Sequence, residues 1–449
     1  MSRYAAYPDY IETRLAWARK IPVGWEVKKI THAISYSVGF TPESGNPLYY
    51  GEEYDWANIS DLGSKILLET KKHITAEAVK HYAKKPAKKG SLLYSFKLSV
   101  GQVSFAGKEM YTNEAIAAFA ESDLLKLSYL YYLSPLAILQ NASENIYGAK
   151  ILNQEAIGNA KVLIPPLSEQ AAIAGFLDYK TAQIDALIAK KETLLARLAE
   201  KRTALISHAV TKGLDPAVPM KDSGVAWLGD IPAHWKRMLL ARVILRIEQG
   251  WSPSCDDRQA SLDEWGVLKS GCVNNGVFRE SEHKTLPINV DPILTLEVRP
   301  GDVLMCRASG SRHLIGSVAL VWDCREKLLF SDKTYRISFH RRMMSPTFFV
   351  LVMLAKYMRD QIELSISGAD GLANNIPQSS VKAYVLIVPP LAEQERIVTN
   401  LNELLKKSRQ QEAKIFQAIE KLKEYRYALI TNAVTGKIDV RNFKVPENA

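Results

Sequence analysis

The segment Arg307-Ala308-Ser309-Gly310-Ser311-Arg312 places two arginines and two hydroxyl groups around one glycine. Arginine can hold guanine O6 and N7 with two parallel donors, and serine can contact several different bases. This chemistry makes the segment a candidate base-contacting surface. The candidate side chains are Arg307, Ser309, Ser311 and Arg312. The alternative is a hairpin turn whose arginines face solvent, and the residue types alone do not separate the two interpretations.

A second candidate is the polar, glycine-rich stretch 367–375, which ends in Asn374-Asn375. Asparagine can pair with adenine N6 and N7 through two hydrogen bonds. The matching stretch in the first half of the chain, 141–148, contains Asn145 and Tyr147. Both stretches could instead be ordinary long connections. Two weaker candidates, each after a glycine-containing turn and a short strand, are Asn113 and Lys333.

Lysines crowd one part of the first half, where ten residues hold Lys80, Lys84, Lys85, Lys88 and Lys89. The whole chain has a net charge of +10 and a pI of about 9.1. This balance favours a polyanionic partner, nucleic acid first. Lys84, Lys85, Lys88 and Lys89 are therefore candidate phosphate contacts. A solvated surface loop would explain the same run.

No familiar catalytic pattern is complete in this sequence. Asn46-Pro47-Leu48-Tyr49 is similar to the Asn-Pro-Pro-Tyr stretch of amino-methyltransferases, but Leu48 replaces a proline. No glycine-rich turn follows a strand to hold S-adenosylmethionine, and the glycines Gly101 and Gly107 are too far apart for a phosphate loop. The eight histidines and four cysteines lack metal-ligand spacing. We expect no catalytic residue, no metal site, and four buried free thiols.

The elements that would position these residues are revealed by an internal repeat. Residues 165–215 and 389–439 align without a gap at a shift of 224, and 19 of the 51 positions are identical. Each copy opens with Pro-Pro-Leu-x-Glu-Gln and continues as an amphipathic helical pattern. A helix of about 40 residues, roughly 60 Å long, is predicted for each copy. Gly213 and Gly436 are expected to end these helices.

The apolar side chains of the two helical copies fall on a seven-residue frame, which is typical of a coiled-coil seam. An exposed apolar stripe of this length would aggregate, so the two copies are expected to pair with each other. The predicted seam residues are Leu177, Ile184, Leu198, Leu205, Leu401, Ile415, Leu422 and Leu429.

The segments between the helical copies are far less alike, but both open with Ile-Pro-x-x-Trp, at residues 21–25 and 231–235. Strand-like runs alternate with turns and helical stretches, which predicts a mixed α/β domain in each segment. The chain is therefore expected to have four parts. These are a first α/β domain (1–160), a first helical spacer (161–212), a linker with a second α/β domain (213–384), and a second helical spacer with a tail (385–449).

Together, the duplicated Pro-Pro-Leu-x-Glu-Gln motif, the Ala-Leu-Ile and Ala-Val-Thr ends of the helices, and the Ile-Pro-x-x-Trp openings resemble the specificity subunit of type I restriction-modification systems. The resemblance covers nearly the whole chain. Two local departures are Lys212-Gly213-Leu214, where the second copy reads Gly436-Lys437-Ile438, and the absence of a double asparagine from 141–148.

This resemblance implies an α+β fold in which two target-recognition domains alternate with two long helices that pair as an antiparallel coiled coil, a pseudo-two-fold internal repeat. It implies that each domain reads one half of a bipartite sequence in double-stranded DNA. Two modification subunits and the motor-nuclease subunits would be partners. S-adenosylmethionine, ATP and Mg²⁺ would be held by those partners, and this chain would bind no cofactor and catalyse no reaction.

Two further expectations concern location and the competing functions. No run of 18 apolar residues and no signal peptide is visible, so a cytoplasmic protein without a membrane partner is expected. The rival function is a helical interaction scaffold that assembles proteins without reading DNA. An enzyme ranks third, because no complete catalytic pattern supports it.

Overall fold

The long helices of this chain each take part in two compact units. The computed structural model describes residues 4–144, 150–367 and 374–446. Unit 1 consists of residues 1–191 and 417–449, and unit 2 consists of residues 192–416. Each unit thus combines one α/β region with the beginning of one long helix and the end of the other.

Unit 1 is built on a five-stranded sheet with the order β4-β11-β8-β9-β6 and a three-stranded sheet with the order β10-β5-β7. The central strands β8 and β11 are short apolar runs that are buried at every residue, as expected for strands covered on both faces. The strands are β1 (Tyr10–Glu12), β2 (Lys20–Pro22), β3 (Glu26–Lys29), β4 (Tyr36–Val38), β5 (Tyr50–Ala57), β6 (Ile66–Leu67), β7 (His73–Ile74), β8 (Leu92–Ser95), β9 (Val103–Ala106), β10 (Tyr111–Thr112), β11 (Ile116–Phe119), β12 (Ser143–Glu144), β13 (Lys150–Ile151) and β14 (Lys161–Ile164).

Three short helices and the first long helix complete the first half of the chain. They are α1 (Ala76–Tyr82), α2 (Leu127–Ala137), α3 (Gln154–Gly158) and α4 (Leu167–Lys212). Helix α2 has 0% exposure at Tyr129, Leu130 and Leu133, which join the same core as β8 and β11. Helix α4 begins directly after β14, so the sheet region and the long helix share this core.

Unit 2 repeats this plan with a four-stranded sheet of order β18-β27-β23-β25 and a three-stranded sheet of order β22-β19-β26. Strand β23 is buried at every residue, like β8 in unit 1. The strands are β15 (Met220–Asp222), β16 (Asp230–Pro232), β17 (Lys236–Leu239), β18 (Ile244–Gln249), β19 (Gly266–Leu268), β20 (Val273–Asn274), β21 (Val277–Phe278), β22 (His283–Thr285), β23 (Val303–Cys306), β24 (Ala308–Ser309), β25 (Val318–Leu320), β26 (Leu328–Leu329), β27 (Thr334–Phe339), β28 (Asn374–Asn375) and β29 (Val385–Val388).

The helices of the second half are α5 (Pro346–Leu354), α6 (Lys356–Ser365), α7 (Gln378–Ala383) and the second long helix α8 (Leu391–Val434). Helices α4 and α8 have 46 and 44 residues, so the prediction of two long helices is confirmed and their length was slightly underestimated. Among the described residues, no helix is both long enough and apolar enough to cross a membrane.

In unit 1, the seven-residue frame describes the inner faces of the long helices well. Of its members, Leu177, Ile184 and Leu429 are buried, and Leu422 packs against the same core. The Arg426 guanidinium also donates to both carboxylate oxygens of Asp185, at 2.8 and 3.2 Å. This ion pair joins the first half of α4 to the second half of α8.

In unit 2, the frame is only partly correct. Leu401 is buried, Leu198 and Ile415 are half-buried, and Leu205 is 41% exposed. The neighbours Ile206, Ala209 and Val210 are buried in its place. A straight α-helix turns by about 20° per heptad relative to a seven-residue repeat, so four heptads after Leu177 the inner face has moved to adjacent positions.

The two repeated motifs meet in each unit through a tryptophan and a glutamate. In unit 1, the Trp25 indole N–H donates to Glu169 Oε2 at 2.8 Å. In unit 2, the Trp235 indole N–H donates to Glu393 Oε2 at 3.1 Å. The Ile-Pro-x-x-Trp segment is therefore fastened to the first turn of the long helix that begins in the same unit.

The glutamine after each glutamate makes an equivalent set of buried hydrogen bonds. Gln170 and Gln394 are both 0% exposed. The Gln170 amide accepts from the Lys126 backbone N–H and donates to the carbonyls of Leu124 and Pro165. Gln394 does the same with the following partners: Ser345 N–H, Met343 carbonyl and Pro389 carbonyl. We call the Trp, Glu and Gln of each unit the helix anchor.

Each helix anchor also receives the end of the other long helix. Gly436, which follows α8, has φ +70°, and a Cβ atom there would lie 2.3 Å from Cδ of Pro22 in unit 1. Gly213, which follows α4, has φ +80°, and a Cβ atom there would lie 3.3 Å from the Trp235 ring in unit 2. Both glycines therefore combine the left-handed backbone of a helix end with close packing on the anchor.

The linker expected at the start of the segment 213–384 contains secondary structure. Its strand β15 pairs with β16 in an antiparallel hairpin that joins Met220 to Pro232. In unit 1, β1 pairs with β2 in the same register, joining Tyr10 to Pro22. The shift of 210 residues that relates the two Ile-Pro-x-x-Trp motifs thus also relates the two hairpins.

Replacing Gln394 by leucine should lower the free energy of unfolding by about 2–4 kcal/mol, because the buried Pro389 carbonyl loses its donor at about 1–3 kcal/mol and the part-buried Ser345 N–H and Met343 carbonyl lose their partners at a smaller cost. Urea unfolding followed by circular dichroism measures this change. The matched control is Gln410→Leu, at an exposed position of the same helix, which should change the stability by less than about 0.5 kcal/mol. Equal effects of the two changes would show that the anchor glutamine does not stabilise the fold.

Candidate nucleic-acid interface

In unit 2, the candidate residues from two distant segments come together at the end of strand β23. Strand β24 pairs with β28, so that Ala308 lies opposite Asn375 and Ser309 lies opposite Asn374. The backbone N–H of Arg307 donates to the Lys333 carbonyl at 2.8 Å. The two segments and Lys333 therefore form one surface, which we call the unit 2 interface.

Arg307 is held more firmly than a solvent-facing arginine would be. Its Nη1 donates to the Asp332 carbonyl at 3.0 Å, and its guanidinium carbon lies 5.5 Å from the centre of the Tyr335 ring. Its Nε is buried and has no hydrogen-bond partner among the described residues. The guanidinium is thus oriented before any ligand arrives, with donors that remain to be satisfied.

The hydroxyl of Ser309 shapes the turn. This residue is 9% exposed, and its Oγ accepts a hydrogen bond from the Ser311 backbone N–H at 3.1 Å. Ser311 itself is exposed. Of the two serines, Ser311 is therefore the one whose hydroxyl faces solvent.

Arg312 is exposed but is already paired with an acidic side chain. Its Nε donates to Glu363 Oε2 at 3.1 Å. Burial raises the pKa of Glu363, but the hydrogen bonds from Arg359 and Arg312 outweigh this effect and hold the pKa below its usual value. A base contact by Arg312 would compete with this ion pair, so Arg307 is the stronger candidate.

The asparagines differ in how their amides are used. Asn374 is 7% exposed, and its Oδ1 is buried without a partner among the described residues. Asn375 is half-buried and exchanges backbone hydrogen bonds with Ser367 at 3.0 Å. Lys333 is exposed, and its Nζ lies 3.4 Å from Asp332 Oδ2. Unsatisfied buried polar groups are rare in folded proteins, so Asn374 and Arg307 stand out.

Unit 1 contains the same backbone frame at the end of strand β8. In unit 2, Arg307 N–H donates to the Lys333 carbonyl, and Ile376 N–H donates to the Arg307 carbonyl at 2.9 Å. In unit 1, Phe96 N–H donates to the Ala115 carbonyl at 3.0 Å, and Leu152 N–H donates to the Phe96 carbonyl at 3.2 Å. Phe96 therefore occupies the position of Arg307.

This correspondence identifies residues that the sequence patterns missed. The end of β8 borders a cleft of about 650 Å³ whose polar lining includes Lys97, Ser99, Asn113 and Lys150. Only Asn113 had been a candidate, and its Oδ1 accepts from the Ala115 backbone N–H at 3.0 Å. We call this cleft the unit 1 interface. The residue types do not indicate this cleft, because the apolar Phe96 stands at the position of Arg307.

Part of the chain matches a known protein family. The family model described as the type I restriction modification DNA specificity domain matches residues 22–196. This range contains the unit 1 interface and the Trp25–Glu169 anchor. The chain is similar to the type I restriction-modification specificity subunits. The resemblance inferred from the duplicated motifs is confirmed.

The related curated proteins differ in how much of the chain they match. The specificity subunit of the EcoEI type I restriction enzyme of Escherichia coli is 30% identical over 214 residues, which are 47% of this chain and 36% of that relative. The specificity subunit of the StySPI enzyme of Salmonella potsdam is 22% identical over 437 residues, which are 93% of this chain and 90% of that relative. The first of these matches thus spans about a third of the relative's length.

A solved structure shares the fold over most of its length. It is a chain from work on complex assembly and conformational transition of the type I restriction-modification system, with a TM-score of 0.64 and 14% identity. The match covers 92% of this chain and 98% of that one. The mixed helix-and-sheet fold with long helices is therefore shared with this solved chain.

Within residues 22–196, the lysine run lies apart from the unit 1 interface. Lys84, Lys85, Lys88 and Lys89 are exposed, and their side chains form no hydrogen bond or ion pair with the described residues. They precede β8, whereas the cleft lies beyond the other end of that strand. The structure therefore does not bring them together with Asn113. The candidates Asn145 and Tyr147 lie outside the described residues.

The cysteines correct one expectation. Cys272 and Cys306 are buried free thiols, but Cys255 and Cys324 are only half-buried. Burial raises the pKa of Cys306 to about 12, so this thiol is almost entirely protonated at neutral pH. Among the described residues, no group of three or more His, Cys, Asp or Glu side chains is arranged to hold a metal ion.

Replacing Asn374 by leucine should leave the free energy of unfolding unchanged or raise it by up to about 1 kcal/mol, because a buried carbonyl oxygen without a donor is removed. The matched control is Asn375→Leu, which removes a side chain whose Oδ1 lies 3.5 Å from the Ser367 hydroxyl. This control should not stabilise the protein. Urea unfolding of the two variants makes the comparison, and a clear loss of stability in the Asn374 variant alone would show that its oxygen has a partner.

Proposed function

We propose that this chain is the DNA-specificity subunit of a type I restriction-modification complex, and that its two interfaces each read one half of a bipartite target. The observation that carries the proposal is the shared frame at the ends of β8 and β23. The same two backbone hydrogen bonds hold Phe96 in one unit and Arg307 in the other. An unchanged scaffold thus presents different side chains at equivalent positions.

Two half-sites of different sequence require different side chains at equivalent positions of the two units. The unit 2 interface offers Arg307, Ser311, Asn374 and Lys333, which suit hydrogen bonding to base edges and phosphates. The unit 1 interface offers Lys97, Ser99, Asn113 and Lys150 beside apolar groups. The two half-sites should therefore differ in sequence. The net charge of +10 supplies general attraction to the DNA backbone.

The long helices are proposed to pair as an antiparallel coiled coil that sets the gap between the half-sites. Within unit 1, Asp185 of α4 pairs with Arg426 of α8, and within unit 2 the Arg202 guanidinium donates to both carboxylate oxygens of Glu412 at 2.8 Å. In both units the first half of one helix contacts the second half of the other, which supports antiparallel pairing. Helices of fixed length would hold the two domains a fixed distance apart along the DNA, where one turn of the double helix advances about 34 Å. Shortening both helices should therefore shorten the preferred spacer.

The proposed function also defines the domain bounds, the partner subunits and the cofactors that they would hold. Residues 1–160 and 213–384 would contain the two recognition domains, and 161–212 and 385–449 would contain the spacers. Two modification subunits and the motor-nuclease subunits would bind this chain and would hold S-adenosylmethionine, ATP and Mg²⁺. This chain would contribute recognition and no catalytic group, and the complex would act in the cytoplasm.

Exchanging residues 21–160 for the matching domain of another specificity subunit should change one half of the recognised sequence and leave the other half and the spacer unchanged. Mapping the methylated adenines in cells that carry the parental or exchanged chain measures this. A change in both halves, or in neither, would contradict the modular assignment. Full methylation without any sequence preference would favour the scaffold function.

Replacing Arg307 by lysine should reduce discrimination at one base pair of the second half-site by about 1–3 kcal/mol, because lysine keeps the charge and loses the two parallel donors. Competition binding with single-base variants of the target measures the discrimination. Arg299→Lys is the matched control, since that side chain is 72% exposed and outside both interfaces. A loss that is equal for every base at every position would make Arg307 a phosphate contact.

A further inference from the structure

The unit 1 interface contains a leucine in an unusual position. Leu98 lies just beyond β8, and 80% of its surface is exposed. Its backbone has φ +49°, and the next residue, Ser99, has φ +35°. This left-handed region is unfavourable for leucine, because Cβ crowds the following carbonyl oxygen. Such backbone strain is commonly kept at functional sites.

The strained turn is held in place by a closed set of hydrogen bonds. The Ser95 hydroxyl donates to the Ser99 carbonyl at 2.6 Å and accepts from the Gln102 backbone N–H at 3.1 Å. The Gly101 N–H donates to the Ser95 carbonyl at 2.9 Å. These hydrogen bonds fix the turn in a conformation that exposes Leu98 to solvent. The side chain therefore contributes little burial of apolar surface to the stability of the chain.

The surroundings of Leu98 combine apolar surface with positive charge. The same cleft is lined by Ile59 and by Ile151, which is 44% exposed. Lys150 is exposed and has no ion pair with the described residues, whereas Lys97 lies 3.9 Å from Glu114 Oε1. Two lysines beside an apolar tip fit a polyanion that also offers an apolar group.

DNA offers one apolar group in its major groove, the C5 methyl of thymine. Leu98 lies two residues after Phe96, just as Ser309 of the unit 2 interface lies two residues after Arg307. The same frame that would place polar side chains against bases in unit 2 places Leu98 outward in unit 1. A leucine at that place can discriminate thymine by contact with its methyl group.

We infer that Leu98 is a specificity-determining residue of unit 1 that contacts the methyl group of a thymine in the first half-site. This inference rests on the proposed function, because it requires that unit 1 lies on DNA. Lys97 and Lys150 then lie near the phosphates that flank this base pair. The first half-site should contain at least one A·T pair at which thymine is preferred over the other bases.

The test uses the full-length chain and the duplex that it selects from a random library. Each thymine of the selected first half-site is replaced in turn by deoxyuridine, which lacks only the C5 methyl group. For the parental chain, one such replacement should weaken binding on the order of fourfold, the factor expected for burial of one methyl group. For Leu98→Ala, the same replacement should have no effect, while the second half-site remains unchanged.

Two variants separate contact from folding. Leu98→Gly should keep or raise the free energy of unfolding, since glycine adopts φ +49° without strain, and it should still lose the response to deoxyuridine. Leu262→Ala is the matched control, because Leu262 is equally exposed, at 81%, and belongs to unit 2. It should keep the full response to deoxyuridine.

The outcomes distinguish the inference from the proposed function. If the parental chain selects no sequence, the proposed function fails and the inference fails with it. If the chain selects a bipartite sequence but Leu98→Ala keeps the full response to deoxyuridine, only the inference is overturned. It is also overturned if Leu98→Ala binds DNA normally but no longer binds a protein subunit of the complex.

Discussion

The helix anchor is the contact on which both units depend. In each unit, one tryptophan indole donates to a glutamate in the first turn of a long helix, and the next residue, a fully buried glutamine, ties that turn to the loop before α2 or α5. The end of the other long helix packs on the same tryptophan through a glycine. Each anchor therefore sets both the direction in which one helix leaves and the place where the other arrives.

This arrangement separates what must stay constant from what can vary. The cleft at the beginning of β23 is lined by Gly301, Ser345 and Leu391, which places that end of the strand beside the anchor. The candidate interface lies at the other end. A strand of four residues spans about 13 Å, so side chains at the interface can change without contact with the anchor. The candidate interfaces and the helix geometry can then diverge independently.

The long helices and their ends could be predicted, because particular residue types in the sequence indicate them. The duplicated Pro-Pro-Leu-x-Glu-Gln motif predicts two long helices, and Gly213 and Gly436 are expected at their ends. The error at Leu205 comes from extending a strict seven-residue frame along a straight helix. The resemblance to the type I specificity subunits also follows from the order of the motifs along the sequence.

The candidate site was harder to predict from the sequence, because backbone hydrogen bonds hold it together. Phe96 and Arg307 occupy the same position through bonds of their main-chain groups, and no side-chain pattern relates them. The lysine run drew attention through its charge but lies at the far end of β8. Residue type therefore indicated side chains of unit 2 that the structure brings together, but it indicated Asn113 alone in the unit 1 interface, where Leu98 and Phe96 are apolar.

The two anchors also show how a duplicated contact tolerates divergence. The carboxylates of Glu169 and Glu393 are only 14% and 15% exposed, so each needs donors beyond the indole. Glu169 accepts from the Tyr7 hydroxyl at 3.1 Å, whereas Glu393 lies 2.8 Å from Nε2 of His234.

Burial, followed by the negative charge of Glu169, raises the pKa of Tyr7, so this hydroxyl keeps its proton and can donate at any physiological pH. Unit 1 has Gly24 where unit 2 has His234 and takes its second donor from the N-terminal segment instead. The requirement is therefore a satisfied carboxylate at the start of the helix and not a particular second donor. Sequence can change around each tryptophan while the helix that it fastens keeps its direction.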